Sequence, residues 1–222
     1  MKKVIVLNAG PRKNFNTAKM LKEAQNGAQS VGAEVEYFNL YDYSFLGCRS
    51  CFACQRKGSV TNNVCAIKDD IRPILEKCVK ADAIIIGSPV YFSYPTGVFR
   101  NFVERLMFAN HTYMVDKERG GCKSQLDRTI PVGVIFTMNC PEDLAHQINY
   151  DVILDENVKC LNHVLGYAQG LYAYDTYQFA DYSKYNCDLF DESHKAKVRD
   201  EQFPKDLQKA FDLGKKLVEM EF

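Results

Sequence analysis

Residues 83–87 read AIIIG, apolar at every position. Successive side chains of a strand point to opposite faces, so a strand with no polar side must be covered on both. Parallel sheets flanked by two helical layers meet that condition. The run VIVL at 4–7 makes the same demand. These two short segments constrain the chain more than any other feature: they call for an α/β fold in which strands alternate with covering helices.

The rest of the chain supplies the alternation. Strands are predicted at 3–8, 34–40, 83–87, 129–137 and 171–177. The segment 17–31 has Ala18, Leu21, Ala24, Ala28 and Val31 on one face, close to a helical period, with Gly32 as a stop. A helix is predicted over 69–82, with Asp69 or Asp70 as its cap and Pro73 in its first turn. Thr96 can cap the next helix, whose Phe99, Phe102, Val103 and Leu106 fall on one buried face. Residues 142–167 and 204–220 read as further helices. Five βα units predict a doubly wound five-stranded parallel sheet of order 2-1-3-4-5 with helices on both faces. The whole of 1–222 is read as one domain. Connections 41–68, 108–128 and 178–202 are too long for turns, and such loops are commonly functional.

Charge excludes some partners. Lysine plus arginine equals aspartate plus glutamate at 28 each, so no basic field points to nucleic acid or an anionic membrane. No run approaches the roughly 20 apolar residues of a membrane span. The N-terminal apolar run stops after four residues at Asn8 and reads as a buried strand rather than a secretion signal. A cytoplasmic protein is expected, and its nine cysteines are therefore not expected to form a disulfide framework.

Two loops carry chemistry. NAGPRKNFNTAKML at 8–21 joins the first strand to the first helix. Helix-start amides lack internal partners and carry partial positive charge, so they can donate to an anion. Gly10 admits close approach. Asn14, Asn16 and Thr17 add short donors, and Arg12 and Lys13 add charge. The P-loop and G-x-G-x-x-G spacings are absent, which favours one terminal phosphomonoester over a dinucleotide. GSPVYFSYPTG at 87–97 leaves the third strand beside it, where doubly wound sheets bind ligands. Pro89, Val90, Tyr91 and Phe92 offer apolar and aromatic faces to a planar heteroaromatic ring. FTMN at 136–139 places Thr137, Met138 and Asn139 at the rim.

Taken in order, GPRKNFNTAKML, CRSCFACQ, CAIKDD, ADAIIIGSPVYF, GVFRNFVERLMF and IFTMN resemble the NADPH-dependent FMN reductase family of flavodoxin-like proteins, in particular its iron–sulfur flavoprotein branch. The resemblance implies bound FMN, with Arg12, Asn16 and Thr17 on the phosphate, Pro89 to Phe92 on the isoalloxazine ring and Thr137 to Asn139 on its other edge. It also implies NAD(P)H as cosubstrate, a flavin, quinone or protein electron acceptor, and a homodimer or homotetramer. Two positions depart from the family: Gly10 stands where serine is usual, and Phe15 where glycine is usual.

Cys48, Cys51 and Cys54 repeat the C-x2-C-x2-C run of ferredoxins, with Cys65 as a fourth ligand candidate across a gap longer than in the iron–sulfur flavoproteins. The readings are a [4Fe–4S] cluster, a zinc site or free reactive thiols. His111, His146, His163 and His194 lack ligand spacing. The tyrosine-rich stretch 174–186 reads as a lid over the flavin or a subunit interface. The expected function is an NAD(P)H-dependent FMN oxidoreductase with no dedicated catalytic acid or base. The alternatives are an iron–sulfur flavoprotein electron carrier without direct NAD(P)H activity, or a thiol or flavin redox sensor.

Overall fold

A computed structural model describes residues 1–59, 61–118 and 120–222; Val60 and Arg119, which fall in two of the long connections, lie outside the described residues. The elements are β1 (Lys3–Asn8), α1 (Asn16–Ser30), β2 (Glu34–Asn39), α2 (Arg72–Cys78), β3 (Ala83–Tyr91), β4 (Tyr94–Pro95), α3 (Gly97–Asn110), β5 (His111–Val115) and β6 (Cys122–Ser124). They continue with β7 (Ile130–Thr137), α4 (Glu142–Gln147), α5 (Tyr150–Leu165), β8 (Gly166–Ala173), α6 (Glu192–Glu201) and α7 (Phe203–Glu219).

Five strands pair in parallel in the order β2-β1-β3-β7-β8, the doubly wound order that the strand pattern predicts. The strands alternate as their apolar runs require. Ile5, Leu7, Ile84 and Ile86 face one core, which they share with residues of α2, α3 and α5. Val4, Val6, Ala83 and Ile85 face a second core under α1 and α7. All eight are nearly or fully buried, and each large side chain so buried contributes about 1.5–3 kcal/mol.

The helices of the second layer cross without room to spare. A Cβ on Gly27 of α1 would lie 1.9 Å from the Phe211 carbonyl oxygen of α7, and one on Gly214 of α7 1.9 Å from the Ala24 carbonyl oxygen of α1. Two hydrogen side chains thus let the helix backbones touch.

Several boundaries differ from the sequence reading. The last strand of the sheet begins five residues before the predicted 171–177. Gly166, at φ +96°, ends α5 and turns the chain directly into β8, and the two glycines in GYAQG mask the strand pattern. Helix α2 is shorter than the predicted 69–82 at both ends, and Asp69 is not its cap: it pairs with Arg105. The third strand runs on through Pro89 to Tyr91 and folds back at Phe92-Ser93 onto β4. The segment 87–97 is therefore an extended strand end and hairpin rather than an open loop. The connections 108–128 and 178–202 contain the β5–β6 hairpin and α6. Helix α6 is nearly all polar, which hides it from an apolar-period reading.

The helix contact generates a prediction with a diagnostic sign. On an isolated helix, glycine to alanine stabilises by about 1 kcal/mol. Here Gly27→Ala should destabilise by about 1–3 kcal/mol, as overpacked sites do, measured as a lower midpoint in urea unfolding. A raised midpoint would mean that the helices do not touch at this position.

Candidate functional site

The parallel register places Asn8 opposite Gly87, and Pro89 opposite Thr137. The carboxyl ends of β1, β3 and β7 therefore open at one edge, where the strand order reverses. A cleft of about 80 Å³ lies there. Gly10, Arg12, Asn16, Thr17, Pro89, Val90, Tyr91, Thr137 and Asn139 line it, joined by Pro11, Phe15, Thr176, Tyr177 and Gln178.

Three predicted residues stand apart from it. Asn14 is exposed and does not line the cleft. Phe92 is 95% exposed at the hairpin tip, where φ is +50°, a conformation few bulky residues adopt. The Met138 side chain is buried in the core. Its carbonyl accepts from both the amide and the hydroxyl of Thr176. Lys13 also contributes nothing to the cleft, since its ammonium is paired with Asp42.

The first turn of α1 faces the cleft. No side chain caps this helix, so its leading amides remain available to an acceptor. Thr17 and Thr137 hydroxyls share a buried hydrogen bond of 2.7 Å, tying the helix start to the end of β7. Arg12 stacks 3.6 Å over the Phe15 ring and donates to the Gln178 carbonyl at 2.6 Å. Burial lowers its pKa, against the influence of Tyr91, Tyr182 and Tyr185. The Asn16 amide donates to the Tyr177 carbonyl at 2.7 Å. Two predicted anion donors are therefore held by the strap at 177–178. The sequence marks 174–186 as a lid or a subunit interface without singling out Thr176, Tyr177 and Gln178 as cleft residues. Only the aromatic density of the segment marked it.

A buried ion pair supports the far wall. Lys195 of α6 is 1% exposed; its ammonium donates to Asp175 Oδ1 at 2.5 Å and to the Asn139 carbonyl at 2.7 Å. Burial lowers the Lys195 pKa, with Asp175 acting against that shift. Asp175 sits at φ +51° and its second oxygen lies 3.0 Å from His194 Nε2. This pair fixes the backbone of Asn139, whose own Oδ1 is buried and meets no donor among the described residues. A lysine in a polar helix carries no sequence signal of such a role.

The four clustered cysteines also come together. Cys48, Cys51, Cys54 and Cys65 line a second cavity, of about 10 Å³, walled by Phe52, Ile67, Phe108 and Ala109. The loop to Cys65 closes despite its length. Left-handed turns at Gly58, Asn62 and Asn63 fold it back, and Asn110 Nδ2 donates to the Asn63 carbonyl at 3.1 Å. Gln55 Nε2 donates to the Phe108 and His111 carbonyls. Burial raises the Cys54 thiol, and the three neighbouring thiols add to it against a hydrogen bond that lowers it. Among the described residues, no three His, Cys, Asp or Glu side chains are arranged to hold a single metal ion.

Residues 2–120 match the family described as NADPH-dependent FMN reductase. The chain belongs to that family. It is 38% identical over 107 residues to an iron-sulfur flavoprotein of Archaeoglobus fulgidus, covering 48% of this chain and 50% of that protein. An iron-sulfur flavoprotein of Methanocaldococcus jannaschii is 36% identical over 103 residues, covering 46% of this chain and 51% of that one. The chain thus spans about half the length of these curated relatives. The solved NAD(P)H:quinone oxidoreductase from Methanothermobacter marburgensis aligns over 100% of this chain and 99% of its own, at TM-score 0.65 and 14% identity. At that identity the likeness is one of fold.

The two departures from the FMN reductase pattern have structural reasons. Gly10 donates its amide to Asn8 Oδ1 at 2.9 Å. A Cβ there would meet that oxygen at 3.1 Å and Pro89 Cδ at 3.3 Å, so serine would be crowded. Phe15, where the resemblance leads glycine to be expected, provides a platform under Arg12.

The Lys195–Asp175 pair is open to a direct test. Lys195→Met should destabilise the chain by about 3–5 kcal/mol, because it strands a buried carboxylate. The double variant Lys195→Met/Asp175→Asn should recover part of that loss in denaturant unfolding. Equal stability of wild type and Lys195→Met would show that the pair is solvated.

Proposed function

We propose that the cleft binds FMN and that the chain is an NAD(P)H-dependent oxidoreductase passing electrons to a flavin, quinone or similar acceptor. The observation that carries this reading is the uncapped start of α1, converging with Arg12, Asn16 and Thr17 on the edge where β1, β3 and β7 end. In this reading, the amides and Thr17 take the phosphate, and Arg12 and Asn16 exchange their strap carbonyls for its oxygens. Tyr91 and Val90 at the cleft mouth offer a surface for the flat ring. Asn139 Oδ1, a buried acceptor without a donor, suits an N–H on that ring's edge. Bound FMN supplies hydride acceptance and onward electron transfer. The chain's own groups bind and orient it, and none is assigned as acid or base.

The donor set of the second cavity fits an iron–sulfur cluster. It offers four thiols beside Phe52, Ile67, Phe108 and Ala109, and among the described residues no three ligating side chains are placed to hold one ion. A single zinc needs all four sulfurs at ~2.3 Å from one point, whereas a four-iron cluster is held by four separate thiolates. Cys48, Cys51, Cys54 and Cys65 would hold it. The cavity has room for little more than one water, so taking up the cluster requires the segment with exposed Cys51 to move outward. This cavity favours the second reading, an electron carrier exchanging electrons between cluster and flavin. The exposed Tyr113, Met114 and Val115 of the β5–β6 hairpin, each about two-thirds exposed, offer a surface for a second copy.

Arg12→Ala should weaken FMN binding about 10- to 100-fold, the loss of one charge-assisted hydrogen bond. Riboflavin, which lacks the phosphate, should bind as before; equal losses for both ligands in fluorescence titration would remove Arg12 from the phosphate site. Stopped-flow mixing of the FMN-loaded chain with NADPH should bleach the flavin band. Failure to bleach on a kinetic timescale would leave the electron-carrier reading in place.

A further inference from the structure

Among the described residues, Arg105 is the largest fully buried side chain, 1% exposed, in the middle of α3. Its guanidinium has five N–H groups, and four are accounted for. Nη1 donates to Asp69 Oδ2 at 2.5 Å and to the Leu46 carbonyl at 3.4 Å. Nη2 donates to Asp69 Oδ1 at 3.0 Å and to the Ile67 carbonyl at 3.3 Å. The fifth, Nε–H, is buried and meets no acceptor among the described residues.

Two features of this arrangement bear on the four-cysteine cavity. Leu46 precedes Cys48 by two residues, and Ile67 follows Cys65 by two, so one side chain clamps both flanks of a ligand set spread over 18 residues. Arg105 also lines the cavity itself. Burial would lower the basicity of the guanidinium, but contacts with Asp69 and Cys65 outweigh it and hold it above its ordinary value. A permanently charged donor with a spare N–H is costly to bury without an acceptor. Sulfur of a cluster held by these thiols would supply one.

We infer that Arg105 is a positioning and tuning residue for an iron–sulfur cluster, fixing Cys48 and Cys65 through the Leu46 and Ile67 carbonyls and donating Nε–H to a cluster sulfur. The inference rests on the cluster reading given above. Hydrogen bonds to cluster sulfurs and nearby positive charge favour the reduced, more negative state and so raise its reduction potential. Arg105 therefore holds the cluster at a higher potential than the four thiolates alone would give.

The test compares wild type, Arg105→Lys and Arg105→Gln, each reconstituted anaerobically with iron and sulfide. Iron per chain, midpoint potential from a dye-mediated titration, and thermal unfolding are measured on each. Arg105→Lys should keep iron near the wild-type level with its potential shifted to more negative values. Arg105→Gln should hold at least about 2-fold less iron. Wild-type iron and potential in both variants would overturn the inference. So would iron loss that merely tracks a lowered melting temperature, since Arg105 would then serve the fold alone. Iron loss from Arg105→Gln at unchanged melting temperature, with iron retained by Arg105→Lys, would support the clamp. A wild-type chain that takes up no cluster would overturn the cluster reading itself, and this inference with it.

Discussion

Parallel pairing of β1 with β3 is the constraint on which the rest depends. Because Asn8 stands opposite Gly87, the turn leaving β1 and the extended end of β3 emerge side by side. Neither segment makes a site alone. The first supplies helix-start amides and short polar groups; the second supplies Pro89, Val90 and Tyr91. The buried Thr17–Thr137 hydrogen bond then locks α1 to β7, and the close contact of α1 with α7 holds that helix against the sheet. The cleft is thus positioned by backbone register and helix packing before any ligand is considered.

The parts of the fold visible in the sequence are those where burial writes a pattern. Strands covered on both faces are apolar throughout, so β1, β3 and β7 stand out. The amphipathic helices α1, α3 and α7 show their periods. Elements whose residues answer to something else are hidden. Strand β8 begins with Gly166 because the chain must turn straight out of α5. Helix α6 is polar because it packs mainly through one buried lysine. Asp69 looks like a helix cap, yet it is spent on an arginine 36 residues away.

The same division holds at the two sites. Gly10 to Thr17 and Pro89 to Tyr91 lie in contiguous segments with readable turn and strand chemistry. Thr176 to Gln178 reach the cleft only because Met138 and Lys195 hold the chain beyond β8, a long-range effect without local signal. Met138 itself, placed at the rim by its neighbours in sequence, turns inward because its side of the strand belongs to the core. Phe92 turns outward because a two-residue hairpin leaves its tip in solvent. Nothing in VERLMF marks Arg105 as buried; the tertiary structure shows it enclosed, lining the cavity of the four thiols.

The strap carbonyls on Arg12 and Asn16 carry a consequence for the chain between turnovers of cofactor. Two of its proposed anion donors, Arg12 and Asn16, each have a main-chain oxygen as a placeholder. In the proposed function, an incoming phosphate would compete with them for these donors, and taking both would free 177–178 from the first loop. On that reading, loading of the cleft and release of this segment would be a single exchange, with the strap satisfying both side chains in the empty protein.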